Sequence, residues 1–186
     1  MSKETQAIAD LPVGERLRLA LAELGTTFIK MGQVLSTRAD LVGPDIAMEL
    51  RKLQADTPPD TAETVRQTIL DELGKLPGEL FAEFEAEAFS SASVGQVHRA
   101  RMANGQHVVV KVQHAGIQEK VRIDLELLET LAKLLQEHVP EARNYQPVAT
   151  TREFRRTLLR ELDFTCERRN METFTRNFEG DETVHI

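Results

Sequence analysis

Two hydrophobic periods run along this chain, and the switch between them organises it. From Leu11 to Leu24, apolar positions at Leu17, Leu19, Ala20, Leu21 and Leu24 predict an amphipathic helix, with Gly25 where it stops. Thr26-Thr27 read as a cap for a second helix over Phe28 to about Ala39. Gly43-Pro44-Asp45 opens another that runs to about Leu53, since proline fits a first turn and an acid suits its positive end. Thr57-Pro58-Pro59-Asp60 is a stop followed by a cap. Thr61 to Leu73 is a further helix ended by Gly74, and Leu76-Pro77-Gly78-Glu79 breaks the pattern again.

Period two then takes over. Glu85 to Phe89 predicts a first strand, Gly95 to Arg101 a second, and the run Val108-Val109-Val110-Lys111-Val112 a third. Asn104-Gly105 between the last two is the signal for a two-residue hairpin turn with positive φ at both positions. Helical periodicity returns from Gly116 to Val139, with a stripe at Ile117, Val121, Leu125, Leu128, Leu131, Leu135 and Val139 that Pro140 ends. Pro147 precedes one last helix, Val148 to about Asn177, and Thr183 to Ile186 begins what reads as another strand. The fold class is α+β, mostly helical, with a small antiparallel sheet.

Two features of the hairpin carry candidate chemistry. Lys111 sits inside a β-branched run, where a buried cation is costly unless an anion meets it. Upstream, Ser90, Ser91, Ala92, Ser93, Val94 and Gly95 form a stretch of mostly small residues over which a backbone can approach a phosphate closely, its N–H groups aimed at the oxygens.

Composition narrows the classes. At 186 residues the chain holds one solid core, or one domain with an extension. A formal net charge of -7 argues against nucleic-acid binding, and against membrane attachment driven by anionic lipid. Aromatic residues make up 5% with no Trp, so base-stacking platforms are not expected. One cysteine, Cys166, excludes an internal disulfide framework, fits a reducing compartment and has no base beside it that would activate it. No apolar run approaches the ~18 residues of a membrane span, and MSKETQAIAD has no apolar signal core. The expected location is cytoplasmic or peripheral to the inner face of a membrane. His98, His107 and His114 lack metal-ligand spacing and read as structural.

Four segments in order, FIKMGQVLSTR, SSASVGQVHRA, VVVKVQ and RELDFTCERRN, make the chain similar to the UbiB/AarF family of atypical, protein-kinase-like proteins. The resemblance runs from about Leu17 to Ile186. It implies a kinase-like N-lobe over residues 77–186, incomplete and without its C-lobe, preceded by a helical extension over residues 1–76. It further implies a nucleotide, ATP or ADP with Mg²⁺, covered by the loop Ser90 to Gly95, with Lys111 on its phosphates and Glu167 as the partner of Lys111. Lys30, with Gln33 beside it, would reach into the region where a protein substrate sits in ordinary kinases and pair with Glu161 and Asp163. On one continuous helix Asp163 and Glu167 share a face, while Glu161 points elsewhere. The implied activity is that of an atypical kinase or ATPase linked to ubiquinone biosynthesis, with isoprenoid lipids or quinone-biosynthesis proteins as partners.

Two departures qualify this. Ser90 and Ser91 stand where the family's loop is alanine-rich, which bears on the preference between ATP and ADP. The catalytic-loop and D-F-G motifs do not occur in the chain, so the Mg²⁺ ligands are expected in the missing lobe. A strand beginning at the last residues suggests a fragment with exposed apolar surface. The competing class is a non-catalytic scaffold or interaction module, or a truncated remnant without activity.

Overall fold

In a computed structural model, residues 11–54, 57–181 and 183 are described. Four helices come first: α1 Val13–Leu24, α2 Thr26–Ser36, α3 Ala39–Val42 and α4 Pro44–Leu50. Helices α1, α2 and α4 pack together and bury Leu21, Phe28, Ala47, Leu50 and Leu53. Gly25, at φ 97°, turns the chain between α1 and α2, a conformation that glycine reaches without strain. Thr26-Thr27 are not the cap expected of them, because α2 already begins at Thr26 and no side chain caps it. Thr27 is fully buried, and a buried hydroxyl needs a partner. It donates to Asp124 Oδ2 at 2.6 Å instead.

Helix α5, Ala62–Leu73, is capped by the Thr61 hydroxyl, which accepts from the Thr64 N–H at 3.3 Å. Gly74 ends it in the left-handed region at φ 69°. Its inner face sets Val65 and Ile69 against Val112 of the sheet, flanked by Leu80, Phe84 and Val110. The break read at Leu76–Glu79 is a short helix, α6 Pro77–Leu80. Proline occupies its first turn, and the Glu79 carboxylate accepts from the Leu76 N–H at 2.8 Å.

The sheet is antiparallel throughout. Strand β3, Gly95–Arg101, is central; β4, His107–Gln113, pairs along one edge. Two short strands, β1 Glu83–Phe84 and β2 Ser90–Ser91, pair with β3 in line. The single strand expected at Glu85–Phe89 is therefore an excursion between them. Its ends donate to β3, Glu85 N–H to Arg99 and Phe89 N–H to Val97, at 2.9 and 3.0 Å. The intervening Ala86-Glu87-Ala88 alternates, but alanine and glutamate are poor strand formers and leave little side chain to pack on a sheet. The β3–β4 turn also differs from expectation. Only Gly105 has positive φ, at 88°, and the Met102 N–H donates to Gln106 across a three-residue loop. This is a turn closed by a glycine bulge, with the Asn104 side chain accepting from the Gln106 N–H at 3.0 Å.

The chain divides into two compact units between Leu127 and Leu128. Helix α7, Ile117–His138, buries Ile117, Val121, Leu125, Leu128 and Ala132. The expected stripe does not hold to its end: Leu131, Leu135 and Val139 are 48%, 45% and 38% exposed. In the second unit a 3₁₀ turn, Pro140–Tyr145, leads to α8 Pro147–Leu162 and α9 Phe164–Asn177. One long helix was expected there. Asp163, at φ -87° and ψ 90°, leaves helical geometry and separates the two. Helix α8 buries Thr151, Phe154, Leu158 and Leu162, and Arg155 pairs with Glu129 at 3.6 Å. The strand read at Thr183–Ile186 lies, past Thr183, outside the described residues. Among the described residues no helix is long and apolar enough to cross a membrane.

Candidate functional site

The register of the sheet sorts the hairpin side chains by face. Val108, Val110 and Val112 alternate with Val109 and Lys111, and Val110 and Val112 face α5. Lys111 stands on the other face and is exposed. The burial penalty expected of a lysine in this run does not arise, because only one face of β4 is covered. On the Lys111 face, Ser90 of β2 opposes Val97 of β3, and Val97 opposes Lys111, forming one row across three strands. The next row pairs Arg99 with the 66% exposed Val109, and the Arg99 guanidinium lies 4.6 Å from the centre of the Phe89 ring.

The small-residue stretch is the turn between β2 and β3. The Ala92 N–H donates to the Gly95 carbonyl at 2.9 Å and closes it. Ala92 is exposed, whereas Ser93, Val94 and Gly95 are buried. Ser90 and Lys111 thus stand on one sheet face, with this tight turn at the end of β2. Residues small enough for close backbone approach and a cation on the same face are what an anionic phosphate ester requires.

Beneath the turn lies a buried polar chain that sequence reasoning missed. The Asp60 N–H donates to Gln96 Oε1 at 2.6 Å; Gln96 Nε2 lies 2.9 Å from His98 Nε2; and His98 Nδ1 lies 2.9 Å from the Glu85 carbonyl. A carbonyl only accepts, so the His98 proton sits on Nδ1 and Nε2 accepts from the Gln96 amide. Gln96 and His98 are both fully buried, and the His98 ring stacks on Phe84 at 5.1 Å. The sequence did hold a signal, since two polar residues two apart take the core-facing positions of an alternating strand. The structural role expected of His98 and His114 holds: both are buried and hydrogen-bonded.

The other candidates are carried by α2 and by the second unit. Lys30 is half-buried on α2. Gly32, two residues on, is where a Cβ would overlap Leu53 Cδ1 and stand 2.9 Å from Leu21 Cδ1, so this glycine serves close helix packing. Gln33 Nε2 donates to the Leu53 carbonyl at 3.2 Å, tying α2 to the segment after α4. In the second unit Glu161 lies in the last turn of α8 and Glu167 in the first turn of α9. The face that Asp163 and Glu167 were to share on a continuous helix does not exist, because Asp163 is the cap between two helices. Its carboxylate accepts from the Thr165 N–H and hydroxyl, at 3.0 and 2.5 Å, and from Cys166 Sγ at 3.4 Å. The Thr165 hydroxyl, followed by Cys166, holds the Asp163 carboxyl below the usual range. The same contact with Asp163, followed by desolvation, pushes the Cys166 thiol up.

Among the described residues no three His, Cys, Asp or Glu side chains converge as a metal site.

Three comparisons bear on this geometry. The family model described as an ABC1 atypical kinase-like domain matches residues 52–186. A protein of Marinobacter nauticus named probable protein kinase UbiB is 44% identical over 173 residues, 93% of this chain and 32% of that protein. One of the same name from Pseudomonas aeruginosa is 43% identical over 177 residues, 95% of this chain and 33% of that protein. The chain therefore spans about a third of the length of these curated relatives. Among solved structures, the complex of Rv3197 with erythromycin, from Mycobacterium tuberculosis, is similar at 28% identity and a TM-score of 0.56. That match covers 82% of this chain and 38% of the other.

Proposed function

This chain belongs to the family of ABC1 atypical kinase-like proteins, and on that premise we propose that its sheet holds the phosphates of ATP or ADP. The observation that carries the reading is the row Ser90–Val97–Lys111 on an exposed sheet face, with the small-residue turn at the end of β2. The fold is that of a protein-kinase-like N-lobe, in which a strand cation and a loop of backbone N–H groups face a nucleotide. Here the Lys111 ammonium neutralises phosphate oxygens, the loop from Ser90 to Gly95 lies over them, and Ser90 adds a hydroxyl. Glu161, Asp163, Glu167, Lys30 and Gln33 remain assigned to the site on family grounds. On family grounds magnesium, which would screen the phosphate charge, takes its ligands from the kinase-like C-lobe.

The wider reading also follows the family. An atypical kinase or ATPase acting in ubiquinone biosynthesis, with isoprenoid lipids or quinone-biosynthesis proteins as partners, suits relatives named UbiB. The location would be cytoplasmic or at a membrane surface. The scaffold reading draws on a different observation, the row of half-exposed Leu127, Leu131, Leu134 and Leu135 on α7.

Thermal unfolding with and without Mg-ATP and Mg-ADP, on the chain and on Lys111→Ala, separates them. A ligand that binds only the folded state at 100 times its Kd adds about 2.7 kcal/mol. The expected result is an upward shift that Lys111→Ala abolishes. Absence of a shift with either nucleotide leaves a lobe too incomplete to bind or the scaffold reading, which a longer chain separates; an equal shift in Lys111→Ala places the nucleotide away from this row.

A further inference from the structure

The turn over Ala92–Gly95 is held from below by His114, and the Asp60 side chain anchors the backbone next to it. His114, just past β4, is 7% exposed, and its Nε2 lies 2.9 Å from the Ala92 carbonyl and 3.5 Å from Ser91 Oγ. Since the carbonyl only accepts, the ring proton at that edge is on Nε2. The His114 backbone N–H donates to the Val94 carbonyl at 3.2 Å, so one residue ties down two carbonyls of the turn. On the far side of the ring, Nδ1 lies 3.2 Å from Asp60 Oδ2. That contact is close yet misaligned, and Nδ1 has no hydrogen bond. Asp60 is anchored independently, its carboxylate accepting from the Ala115 N–H at 3.0 Å and its own N–H donating to Gln96 at 2.6 Å.

We infer that Asp60 and His114 are positioning residues for the nucleotide loop, a latch in which the segment entering α5 sets the imidazole that fixes the turn. The functional part of this inference rests on the nucleotide reading above. The physical reason is directional. A turn that presents backbone N–H groups to a phosphate must keep its carbonyls turned away, because a carbonyl oxygen facing a phosphate oxygen repels it. His114 takes the Ala92 and Val94 carbonyls, and Asp60, by accepting from the Ala115 N–H, fixes the backbone from which the imidazole reaches Ala92. Asp60 lies before the helix that covers the back of the sheet, so the loop's geometry is governed from outside the hairpin.

Two measurements on the whole chain test the latch, with variants Asp60→Ala, His114→Leu and His114→Gln. The first is amide exchange without nucleotide, read at Ala92, which bonds Gly95, and at residue 114, which bonds Val94. The second is the Kd for Mg-ADP and Mg-ATP. Both amides should exchange about tenfold faster in Asp60→Ala and His114→Leu, as the loss of one buried hydrogen bond predicts. Amides in α1 and α2 should keep their wild-type rates. His114→Gln restores an N–H near the position of Nε2 and should recover most of the protection, which a general loss of folding would not allow. The Kd should weaken by about the same factor and recover in the same variant. Unchanged exchange in His114→Leu, or faster exchange spread evenly into α1 and α2, overturns the latch. Faster loop exchange with an unchanged Kd overturns its role in positioning. If wild type binds neither nucleotide, the functional reading fails, and the exchange result still decides whether the latch exists.

Discussion

Gly32 is a position where a single absent methyl group decides how two helices approach. Replacing it with alanine gains about 1 kcal/mol of helix propensity. The new Cβ would have to displace Leu53 and Leu21, both less than a tenth exposed, and overpacking of that kind costs about 1–3 kcal/mol. Gly32→Ala is therefore expected to lower the denaturant midpoint at an unchanged slope; a raised midpoint would mean that the leucines swing aside freely. Gln96 poses the opposite problem, a buried amide whose two ends are both engaged. Gln96→Leu strands the Asp60 N–H and His98 Nε2, at about 1–3 kcal/mol for each group left unsatisfied. Adding His98→Phe should cost less than the sum of the two changes, since its Nε2 has already lost its donor. Equilibrium unfolding of the singles and the double checks this, and strict additivity would count against a connected network.

Among the elements, the break at Asp163 matters most. A continuous helix from Val148 to Asn177 satisfied the sequence pattern, yet Asp163 caps α9 and is itself out of helical geometry. Its folded pKa is lowered, with the Thr165 hydroxyl as first cause, so the cap stabilises above the unfolded value of about 3.9 and is lost as pH falls through the folded value. Wild type should thus show faster exchange at the Thr165 amide below about pH 4, and Asp163→Ala should show it already at neutral pH with no further acid-dependent rise. An Asp163→Ala chain with wild-type exchange at Thr165 would show that the cap does not hold α9. The sheet gives a milder case. Its strands lie near where β-branched alternation put them, but the Glu85–Phe89 strand was misread because two short strands share one edge of β3.

On the scale of the whole molecule, Lys111 ties stability to ligand without belonging to the core. It is exposed on β4 and makes interactions of its own, so the shift with nucleotide in Lys111→Ala is to be read against that variant's own unliganded midpoint. Any difference seen with nucleotide then reports binding alone. A large fall in the unliganded protein would mean that Lys111 is structural. The helical part before the sheet contributes at this scale as well, through the Thr27–Asp124 bond between α2 and α7 and through Asp60 beneath the loop.

Much of this was legible in the chain. Gly25, Gly74 and Pro140 marked element ends through backbone geometry that side-chain context does not override, and the family followed from four short segments in order. Period and punctuation are local properties, so the sequence by itself determined where the long helices and the β3–β4 hairpin lie, and that Lys111 sits on a strand beside a small-residue turn. Only the tertiary structure decided what each polar group faces. It turned Gly32 into a packing contact, Thr27 into a link between helices, Asp163 into a cap and Gln96 with His98 into a buried chain. It also left Leu131 and Leu135 exposed while Ala132 went inside. The reason is physical: a helical or strand period sets a face only relative to its own axis, and the identity of what covers that face is a long-range contact that no local pattern encodes.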